Sequence, residues 1–581
     1  MANAFPPDLD RAGAVNRLDR WLTGTLGATR LPPREGFPER WRIGAAVSGT
    51  PINLVIGLPH EYPRALPRVA VIDAPPFGTW PHVERDGTVC VTSSAERFDR
   101  DQPVAVARDI LGRVLEVLRQ GIEGENEDDF RSEFLSYWDV LAGRRVVQSI
   151  IDPSGPSRRV VTWGGDRFRV IAEAPSELRP WLSNLRGRRV TDDACRGAAL
   201  LWLDRPMLPR EYPNDVAGLM TIASRAEGDG EAILNRLFRS STDQHLVVLI
   251  GADGPDGATF GAVELVPRRI DRARNRRGLS GKSAADRLSL WKSADLSRTR
   301  VERADTNWIH GRDSNPDLLD LRIAKVALVG CGSLGSQVAR QLALAGVGEL
   351  RLIDPERMEW ANVGRHVLGA PGKGRLKAEA LAAQLRAEFP ASRFEAHESR
   401  WQDAAVALDG CDLVVSTIGS LDDEADLTKW QRGHPGLPIV FGWTEPRGCA
   451  SQAVAIGKGA GCLLCGFDHL GDPRFRATDW IETPLRRQAA CGSWFMPYGA
   501  GEITSAAILA SELALDVLTG RAGSGVHRVQ SCREGILRTA GGEWTLAWRA
   551  AAGPGDPAGR VIELSWLPAI DCPACRGAGP A

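Results

Sequence analysis

Residues 324–381 read AKVALVGCGSLGSQVARQLALAGVGELRLIDPERMEWANVGRHVLGAPGKGRLKAEAL, and this stretch decides the fold. Lys325–Val329 is a short, valine-rich apolar run, which predicts a buried parallel strand. A glycine-rich turn follows at Gly330–Gly335, and Ser336–Ala345 then carries apolar residues at helical spacing. Because a second apolar run follows at Leu350–Ile353, the stretch predicts a β-α-β unit with a glycine turn between strand and helix.

The glycine turn is typical of a site for phosphate groups. Gly330, Gly332 and Gly335 leave backbone amides and the positive end of the helix open to a phosphate. Asp354 closes the second strand, where a carboxylate accepts hydrogen bonds from a ribose. The same pattern also fits a dinucleotide-dependent oxidoreductase, so it predicts a nucleotide site without defining the reaction.

Three further polar residues limit the classes of reaction that fit the nucleotide site. Asn362, Arg365 and Lys377 are spaced so that polar or cationic groups crowd one triphosphate. Hydride transfer does not need two cations beyond the pyrophosphate site, whereas the departure of phosphate does. A purely structural role for the glycines leaves these three residues unexplained. We therefore favour a reaction in which a phosphate group departs over hydride transfer.

The order glycine turn, Asp, Asn-x-x-Arg and Lys resembles the ThiF/ubiquitin-activating family. The resemblance implies a Rossmann-like domain that uses ATP and Mg²⁺ to adenylate the C-terminal carboxylate of a protein. Family members commonly bind magnesium with an Asp behind a later strand, but here Leu413–Ser416 is followed by Ile418–Gly419. We expect Asp422 or Asp423 to substitute, although a solvated helix N-terminus explains these acids equally well. Related enzymes also place an Arg near ATP, and Arg312 is the candidate.

Length and composition limit the class of protein. The 581 residues predict three or four domains at roughly 150 residues each. The net charge of −1 gives no indication of nucleic-acid binding. The first residues lack the apolar core of a signal peptide, and no apolar run reaches the roughly 18 residues that span a bilayer. We expect a cytoplasmic protein whose 11 cysteines are metal ligands, nucleophiles or buried residues rather than disulfides.

The front of the chain alternates short strands with turns. An amphipathic helix is predicted over 14–26, and three short runs predict an antiparallel meander. Two further helices follow the meander. The predicted strands are Trp41–Val47, Ile52–Ile56 and Arg68–Ile72, and the later helices are Pro103–Leu118 and Glu127–Leu141.

This order resembles the ubiquitin-conjugating fold over about residues 10–140, with Leu58-Pro-His-Glu-Tyr-Pro63 as the proline-rich turn and Cys90 in an irregular segment. The resemblance implies an α+β domain in which Cys90 carries a small modifier protein as a thioester. The family's His-Pro-Asn reads Pro81-His82-Val83 here, so its Asn is missing and His82 or a backbone amide would replace it. Cys90 as a buried small residue and His82 as a structural histidine are the alternatives.

The middle of the chain carries no catalytic signature. Composition predicts a linker at Ile151–Ser157, a mixed α/β domain over 158–266 and a second linker over 267–308. Arg268–Arg303 holds twelve Lys or Arg against four Asp or Glu, which is typical of a solvated basic linker. It would otherwise dock an acidic partner surface. Nucleic acid is not favoured, because Trp291 alone offers a stacking group.

Two Cys-x-x-Cys pairs lie in the last third of the chain. Two such pairs complete a closed four-cysteine zinc site with no open position, whereas a redox role would suit a single pair. This arrangement of two pairs resembles the one that ThiF-like proteins carry. We therefore expect a structural Zn²⁺ ion that fastens the end of the chain to the adenylation domain. Its ligands would be Cys462, Cys465, Cys572 and Cys575.

Cys491 lies in a different context, in a segment that leads into a predicted helix over Ile503–Leu518. The resemblance to the activating family implies that a cysteine here takes the modifier from AMP. A thiolate captures a reactive acyl-adenylate as a thioester before water hydrolyses it. A structural role for Cys491 is the alternative. The remaining cysteines show no pattern of this kind and are expected to be structural: Cys195, Cys331, Cys411, Cys449 and Cys532.

Taken together, the sequence predicts a ubiquitin-conjugating-like domain at 1–150 and a ThiF-like domain at 309–581. This arrangement resembles the CBASS-associated fusion enzymes of anti-phage defence. The resemblance implies a homodimer that adenylates a CD-NTase-type cyclase or a ubiquitin-like protein, moves it from Cys491 to Cys90 and joins it to a target lysine. The alternatives are a sulfur-carrier adenylyltransferase with a degenerate front domain and a non-enzymatic scaffold.

Overall fold

The computed structural model describes residues 11–92, 96–165, 168–191, 195–268, 278–487, 494–572 and 574–575. The chain divides into two compact units. The N-terminal unit comprises residues 1–173 and 194–302, and the C-terminal unit comprises residues 174–193 and 303–581.

The first part of the N-terminal unit is an antiparallel meander covered by helices. Its four strands are paired in the order β1-β2-β3-β4, and apolar side chains of β2 and β3 pack against α1 and α2. The predicted meander is confirmed, but the last helix is interrupted at Glu133, whose backbone is not helical. The elements are α1 Arg11–Leu26, β1 Thr29–Leu31, β2 Glu39–Val47, β3 Thr50–Leu58, β4 Arg68–Ile72, α2 Pro103–Glu123, α3 Asp129–Ser132 and α4 Phe134–Leu141.

The second part of the N-terminal unit is a closed β-barrel. Among the described residues its strands follow the order β10-β11-β5-β7-β6-β8-β9. Its packed interior includes Ile171, Leu200 and Phe260. The elements of this region are β5 Val146–Ser149, β6 Arg158–Gly165, β7 Phe168–Ala172, α5 Pro175–Arg186, β8 Cys195–Leu203, α6 Val216–Arg225, α7 Gly230–Ser240, β9 Leu246–Gly254, β10 Gly257–Val266, α8 Ala284–Lys292 and β11 Asp295–Arg303.

The conjugating-like part and the barrel share packing within this unit. Trp138 of α4 donates a hydrogen bond from Nε1 to the carbonyl oxygen of Thr299 at 3.0 Å. Gly261 of β10 makes the approach possible, because a Cβ there would lie 2.5 Å from the Trp138 ring. The barrel therefore supports α4 directly.

The expected basic linker differs from the structure over residues 284–303. This segment forms α8 and then β11, which pairs with β10 and closes the barrel. Trp291 is fully buried in it. The many charged residues of this segment are typical of a linker, but their long side chains can bind polar groups at the surface while the backbone pairs as a strand. For example, Arg298 donates a hydrogen bond to Oδ1 of Asn214 at 2.9 Å.

The C-terminal unit is a twisted α/β sheet with additional antiparallel strands. In the described residues its main sheet has the order β14-β13-β12-β15-β16-β17-β21-β23, and the first five of these strands are parallel. The elements are α9 Thr306–Ile309, α10 Leu318–Ile323, β12 Lys325–Val329, α11 Ser333–Ala345, β13 Glu349–Ile353, α12 Lys377–Glu388, β14 Arg393–His397, β15 Leu413–Ser416, α13 Leu421–Arg432, β16 Ile439–Thr444, β17 Ala450–Ile456, β18 Thr478–Trp480, β19 Arg486–Arg487, β20 Trp494–Phe495, α14 Ala500–Leu518, β21 Val526–Ser531, α15 Glu534–Ala540, β22 Gly542–Trp544, α16 Leu546–Ala552 and β23 Val561–Ser565. The predicted β-α-β unit is confirmed as β12-α11-β13.

Helix α5 belongs to the C-terminal unit, although it lies between two barrel strands in the sequence. It contacts α12, and Nδ2 of Asn184 donates to the carbonyl oxygen of Pro390 at 3.1 Å. Leu178 and Leu182 are fully buried. The middle region predicted over 158–266 therefore contributes to both units.

A membrane-spanning helix is not found in the part of the chain that the structure describes, since none of its helices combines the length and the apolarity that a bilayer requires.

Candidate active sites and metal centre

The glycine turn after β12 closes tightly on itself. Gly330 has a φ of +92°, a conformation that favours glycine. A Cβ on Gly335 would lie 1.8 Å from the carbonyl oxygen of Gly330, so a side chain there would clash with the backbone. A Cβ on Gly332, by contrast, would meet nothing within 4 Å. Gly332 therefore borders open space at the start of α11, where a phosphate can approach the backbone.

A cavity of 210 Å³ lies beside this turn, and its lining includes Gly330, Gly332, Asp354 and Thr417. Asp354 is nearly buried, and its two carboxylate oxygens accept hydrogen bonds from the backbone nitrogens of Cys331 and Glu356, each at 2.7 Å. Burial raises the pKa of Asp354. The carboxylate is thus fixed at the edge of the cavity, where a ribose hydroxyl could bind.

Lys377 is the first residue of α12 and forms an ion pair with Glu356. Its side chain is 6% exposed, whereas that of Glu356, which also lines the cavity, is 69% exposed. A buried ammonium group with an exposed carboxylate partner can exchange that partner for a phosphate. Lys377 therefore adjoins the cavity through its partner Glu356, which lines it.

Arg365 contacts the start of α11, and Asn362 precedes it by three residues. The Nε of Arg365 donates to Oγ of Ser333 at 2.9 Å, and its Cζ lies 5.2 Å from the ring centroid of Tyr498. Oδ1 of Asn362 accepts from the backbone nitrogen of Glu359 at 2.9 Å. Arg365 thus makes these contacts within its own chain and lies at the start of α11.

His366 supports the glycine turn, and the sequence analysis missed it. Its Nε2 lies 2.7 Å from the carbonyl oxygen of Cys331, and its Nδ1 accepts from the backbone nitrogen of Leu368 at 3.2 Å. Burial lowers the pKa of His366 to about 4, so the ring is neutral and Nε2 carries the proton. Its position directly after Arg365 does not by itself indicate this contact.

The acids after β15 are not equivalent. Asp423 lines the cavity, and Gln402 donates to its Oδ1 at 3.2 Å, whereas Asp422 is exposed and is absent from the lining. Of these two acids, Asp423 is therefore the one that borders the cavity. Arg312 is exposed and does not line this cavity in the described residues.

Cys90 is exposed at a cavity of 880 Å³ in the N-terminal unit. Its backbone nitrogen donates to the carbonyl oxygen of His82 at 2.8 Å. Partial burial of the thiol raises the pKa of Cys90, and the negative charges of Glu133 and Glu84 add to this effect. The thiol is accessible and remains largely protonated at neutral pH.

His82 is fixed by several contacts beside Cys90. It has a φ of +62°, and its backbone nitrogen donates to the hydroxyl of Tyr137 at 2.7 Å. Its ring lies 3.0 Å from Asp129 and 3.3 Å from Glu133. The hydrogen bond with Glu133 and that with Asp129 raise the pKa of His82 to about 9. With its ring paired to two carboxylates and its backbone nitrogen bound to Tyr137, His82 fixes the loop next to Cys90, and a protonated ring is not available as a general base.

The four predicted zinc ligands come together. Their sulfur atoms all lie within 4.8 Å of one another, with Cys462 to Cys572 at 3.5 Å and Cys465 to Cys575 at 3.6 Å. A tetrahedral ion with Zn–S bonds of about 2.3 Å needs sulfur separations of about 3.8 Å. The thiol set therefore fits Zn²⁺. Arg432 donates from its guanidinium to Sγ of Cys575 at 3.2 Å.

Cys491 lies outside the described residues. The segment before it is anchored by Glu445, a buried carboxylate that accepts hydrogen bonds from the backbone nitrogens of Ala477 and Thr478 at 2.7 and 2.8 Å. Tyr498 and α14 follow it. The chain on both sides of Cys491 is therefore held on the C-terminal unit.

Two regions of the chain match known protein families. Residues 310–510 match the ThiF family, and residues 34–147 match the prokaryotic E2 family B. The first match contains the glycine turn, Lys377 and Cys491, and the second contains His82 and Cys90. The family matches therefore cover both of the sites described above.

Three relatives extend the comparison. An ATP-dependent ubiquitin transferase-like protein Cap2 of Pseudomonas aeruginosa is 26% identical over 78% of this chain and 83% of its own length. The Cap2 protein of Escherichia coli is 22% identical over 81% of this chain and 83% of its own length. The mouse adenylyltransferase and sulfurtransferase MOCS3 is 48% identical, but over 16% of this chain and 20% of its own length. The chain therefore contains a ThiF-family domain and a prokaryotic E2 family B domain, it is similar to the Cap2 proteins over most of both lengths, and these findings support a transferase of the activating and conjugating type.

Proposed function

We propose that the chain adenylates the C-terminal carboxylate of a modifier protein, carries it through thioesters on Cys491 and Cys90, and joins it to a target lysine. The observation that carries this proposal is the presence of two sites in one chain. One is the nucleotide cavity beside Lys377, and the other is the exposed thiol of Cys90. A sulfur-carrier adenylyltransferase would need the first site and not the second.

In the adenylation step the modifier carboxylate attacks the α-phosphate of ATP, and pyrophosphate leaves. The amides around Gly332 bind phosphate, Asp354 binds the ribose, and Lys377 and Arg365 stabilise the negative charge that develops on the phosphates. Asp423 is the carboxylate that would hold Mg²⁺ with the triphosphate. Asn362 holds the backbone turn that precedes Arg365.

Two acyl transfers follow. The thiolate of Cys491 attacks the acyl-adenylate and releases AMP. The sulfur of Cys90 then attacks the Cys491 thioester, and the sulfur of Cys491 leaves and recovers a proton. Finally a lysine amine attacks the Cys90 thioester, an amide forms, and the Cys90 thiol is regenerated. The exposure of Cys90 admits both the thioester donor and the lysine.

The four-cysteine centre would stabilise the fold and would not take part in the reaction. Cys462, Cys465, Cys572 and Cys575 would hold Zn²⁺, which supplies folding free energy and no open position for substrate. Because these ligands join residues more than a hundred positions apart, the ion would fasten the end of the chain to the main sheet.

The proposed biological setting is a homodimer in anti-phage defence, with a CD-NTase-type cyclase as the modifier. The support is the similarity to the Cap2 proteins over most of both chains. In the described chain Arg365 contacts Ser333 at the start of α11, beside the glycine turn.

ATP–pyrophosphate exchange in the presence of candidate carrier proteins tests the first step. We expect exchange with a carrier that has a free C-terminal carboxylate and none with the same carrier as a C-terminal amide. Absence of exchange with every carrier would favour a scaffold. Exchange without any adduct on Cys90 would favour sulfur-carrier adenylation.

A further inference from the structure

Two cysteines that the proposed reaction does not use lie opposite each other at the end of a strand pair. β17 and β21 are antiparallel, with Ala450 opposite Ser531. One residue beyond this register, where the backbone of Cys449 has turned into the helical region, the backbone nitrogen of Cys532 donates to the carbonyl oxygen of Cys449 at 2.9 Å. Hydrogen-bonded residues of an antiparallel pair have Cα atoms about 5.5 Å apart. This separation lies within the range of about 4.4–6.8 Å that a disulfide requires.

The two thiols have different surroundings. Cys449 is fully buried, whereas Cys532 is partly exposed and lines a cavity of 360 Å³ that Arg533 and Glu502 also line. A hydrogen bond between the two thiols lowers the pKa of Cys532 and raises that of Cys449. Because the thiolate is the form that reacts with oxidants, Cys532 is the attacking sulfur and Cys449 the resolving one.

We propose that Cys449 and Cys532 are an oxidisable pair that forms a reversible disulfide, with a hydroperoxide as the oxidant. The Cys532 sulfur attacks a peroxide oxygen, the O–O bond breaks, and the products are a sulfenic acid and water or an alcohol. The Cys449 sulfur then attacks the sulfenic sulfur, and the hydroxyl leaves as water with the thiol proton. The peroxide is reduced by two electrons, which the two thiols supply. A thiol reductant reverses the bond by exchange.

The position of the pair gives the bond a structural effect on the C-terminal unit. Cys449 follows Gly448, which has a φ of +66°, and a Cβ there would lie 2.4 Å from Cβ of Glu502 in the first turn of α14. The disulfide would therefore fix the end of the β17–β21 pair beside the helix that follows the Cys491 segment.

The test uses the full chain with Cys90→Ala and Cys491→Ala, so that these two thiols do not compete. The protein is titrated with hydrogen peroxide, the remaining thiols are alkylated, and the disulfides are mapped by peptide mass spectrometry. We expect the 449–532 peptide pair to appear first and to disappear with dithiothreitol. Cys411 is an internal reference, because burial raises its pKa to about 11, and we expect it to react at least about tenfold more slowly.

Two variants assign the order of attack. With Cys449→Ala, Cys532 should stop at a sulfenic acid that dimedone traps, whereas Cys532→Ala should protect Cys449. Circular dichroism shows whether Cys449→Ala folds. If it does not fold, the disulfide mapping in the protein that retains both Cys449 and Cys532 still tests the proposal. Oxidation of Cys411 before Cys532, or a Cys532 that stays as sulfenic acid beside an intact Cys449, would overturn the proposal.

Discussion

The protonated ring of His82 stabilises the loop next to Cys90 through its ion pairs with Asp129 and Glu133. Its raised pKa means that the folded state holds a proton that the unfolded state releases at neutral pH, because the unfolded value is 6.5 and the folded one is about 9. The stabilisation is therefore complete below about pH 6.5 and is lost as the pH rises through about 9.

His82→Asn tests this charge, since Asn tolerates the left-handed backbone at this position. We expect a loss of about 1–2 kcal/mol at pH 6, after allowance for the partly exposed carboxylates. Thermal melts of both proteins at pH 6 and pH 10 measure it. The gap in Tm should be wide at pH 6 and small at pH 10, and an equal gap at both values would contradict the ion pairs.

Lys377 carries the strongest residue-scale prediction for adenylation. Lys377→Ala removes the buried ammonium group, and we expect ATP–pyrophosphate exchange to fall by about 100-fold or more. Glu356→Gln is the matched control, because it removes the other half of the ion pair and leaves the cation available. If the two variants lost activity equally, the ion pair itself and not the cation would be what matters.

The residues that belong to a sequence motif could be predicted from the sequence, but the residues that hold the motif in place in the folded protein could not. Asp354 and Lys377 follow from a known spacing, since each occupies the end of a strand or the start of a helix. His366 could not be found, because its role depends on a contact with the carbonyl oxygen of Cys331 that only the folded turn creates. The choice of Asp423 over Asp422 likewise depends on which face of α13 borders the cavity.

At the scale of the element, alanine substitutions at two glycines of the turn should have different effects, one on stability and the other on ATP binding. Gly335→Ala places a Cβ against the backbone of Gly330, so we expect a loss of about 3 kcal/mol in the free energy of unfolding. Gly332→Ala meets no atom within 4 Å, so it should fold normally and weaken ATP binding instead. Denaturant unfolding and calorimetric titration with ATP separate the two, and a stable Gly335→Ala protein would contradict the tight turn.

The four-cysteine centre gives a second prediction for an element. Purified protein should contain one zinc per chain, and Cys465→Ser should lose the metal and lower the Tm. Elemental analysis and thermal melting measure both effects. Cys411→Ser is the control, because that cysteine lies outside the cluster. A full-length Cys465→Ser protein that kept its zinc would contradict the site.

Elements with a clear apolar period were predictable, and elements that depend on distant packing were not. β12 and α11 follow from local pattern, since the strand is buried on both faces and the helix packs one face. β11 was missed because its charge resembles a linker while its backbone closes a barrel. The place of α5 was missed because its partner, α12, is about two hundred residues away.

At the scale of the whole molecule, the two thiols of the proposed reaction belong to different stretches of the chain: Cys90 lies in the sequence range of the N-terminal unit and Cys491 in that of the C-terminal unit. The central claim is that the acyl group passes from Cys491 to Cys90. In the proposed reaction the acyl-adenylate forms beside the glycine turn and Cys491 is its first acceptor, so Cys90 should receive nothing when Cys491 is absent.

The most direct measurement follows a fluorescent modifier protein on non-reducing gels, with peptide mapping of the adduct, after incubation with ATP and wild-type, Cys90→Ala or Cys491→Ala protein. We predict a thiol-sensitive adduct on wild type, an adduct confined to Cys491 in Cys90→Ala, and none on Cys90 in Cys491→Ala. An adduct on Cys90 in the Cys491→Ala protein would contradict the account.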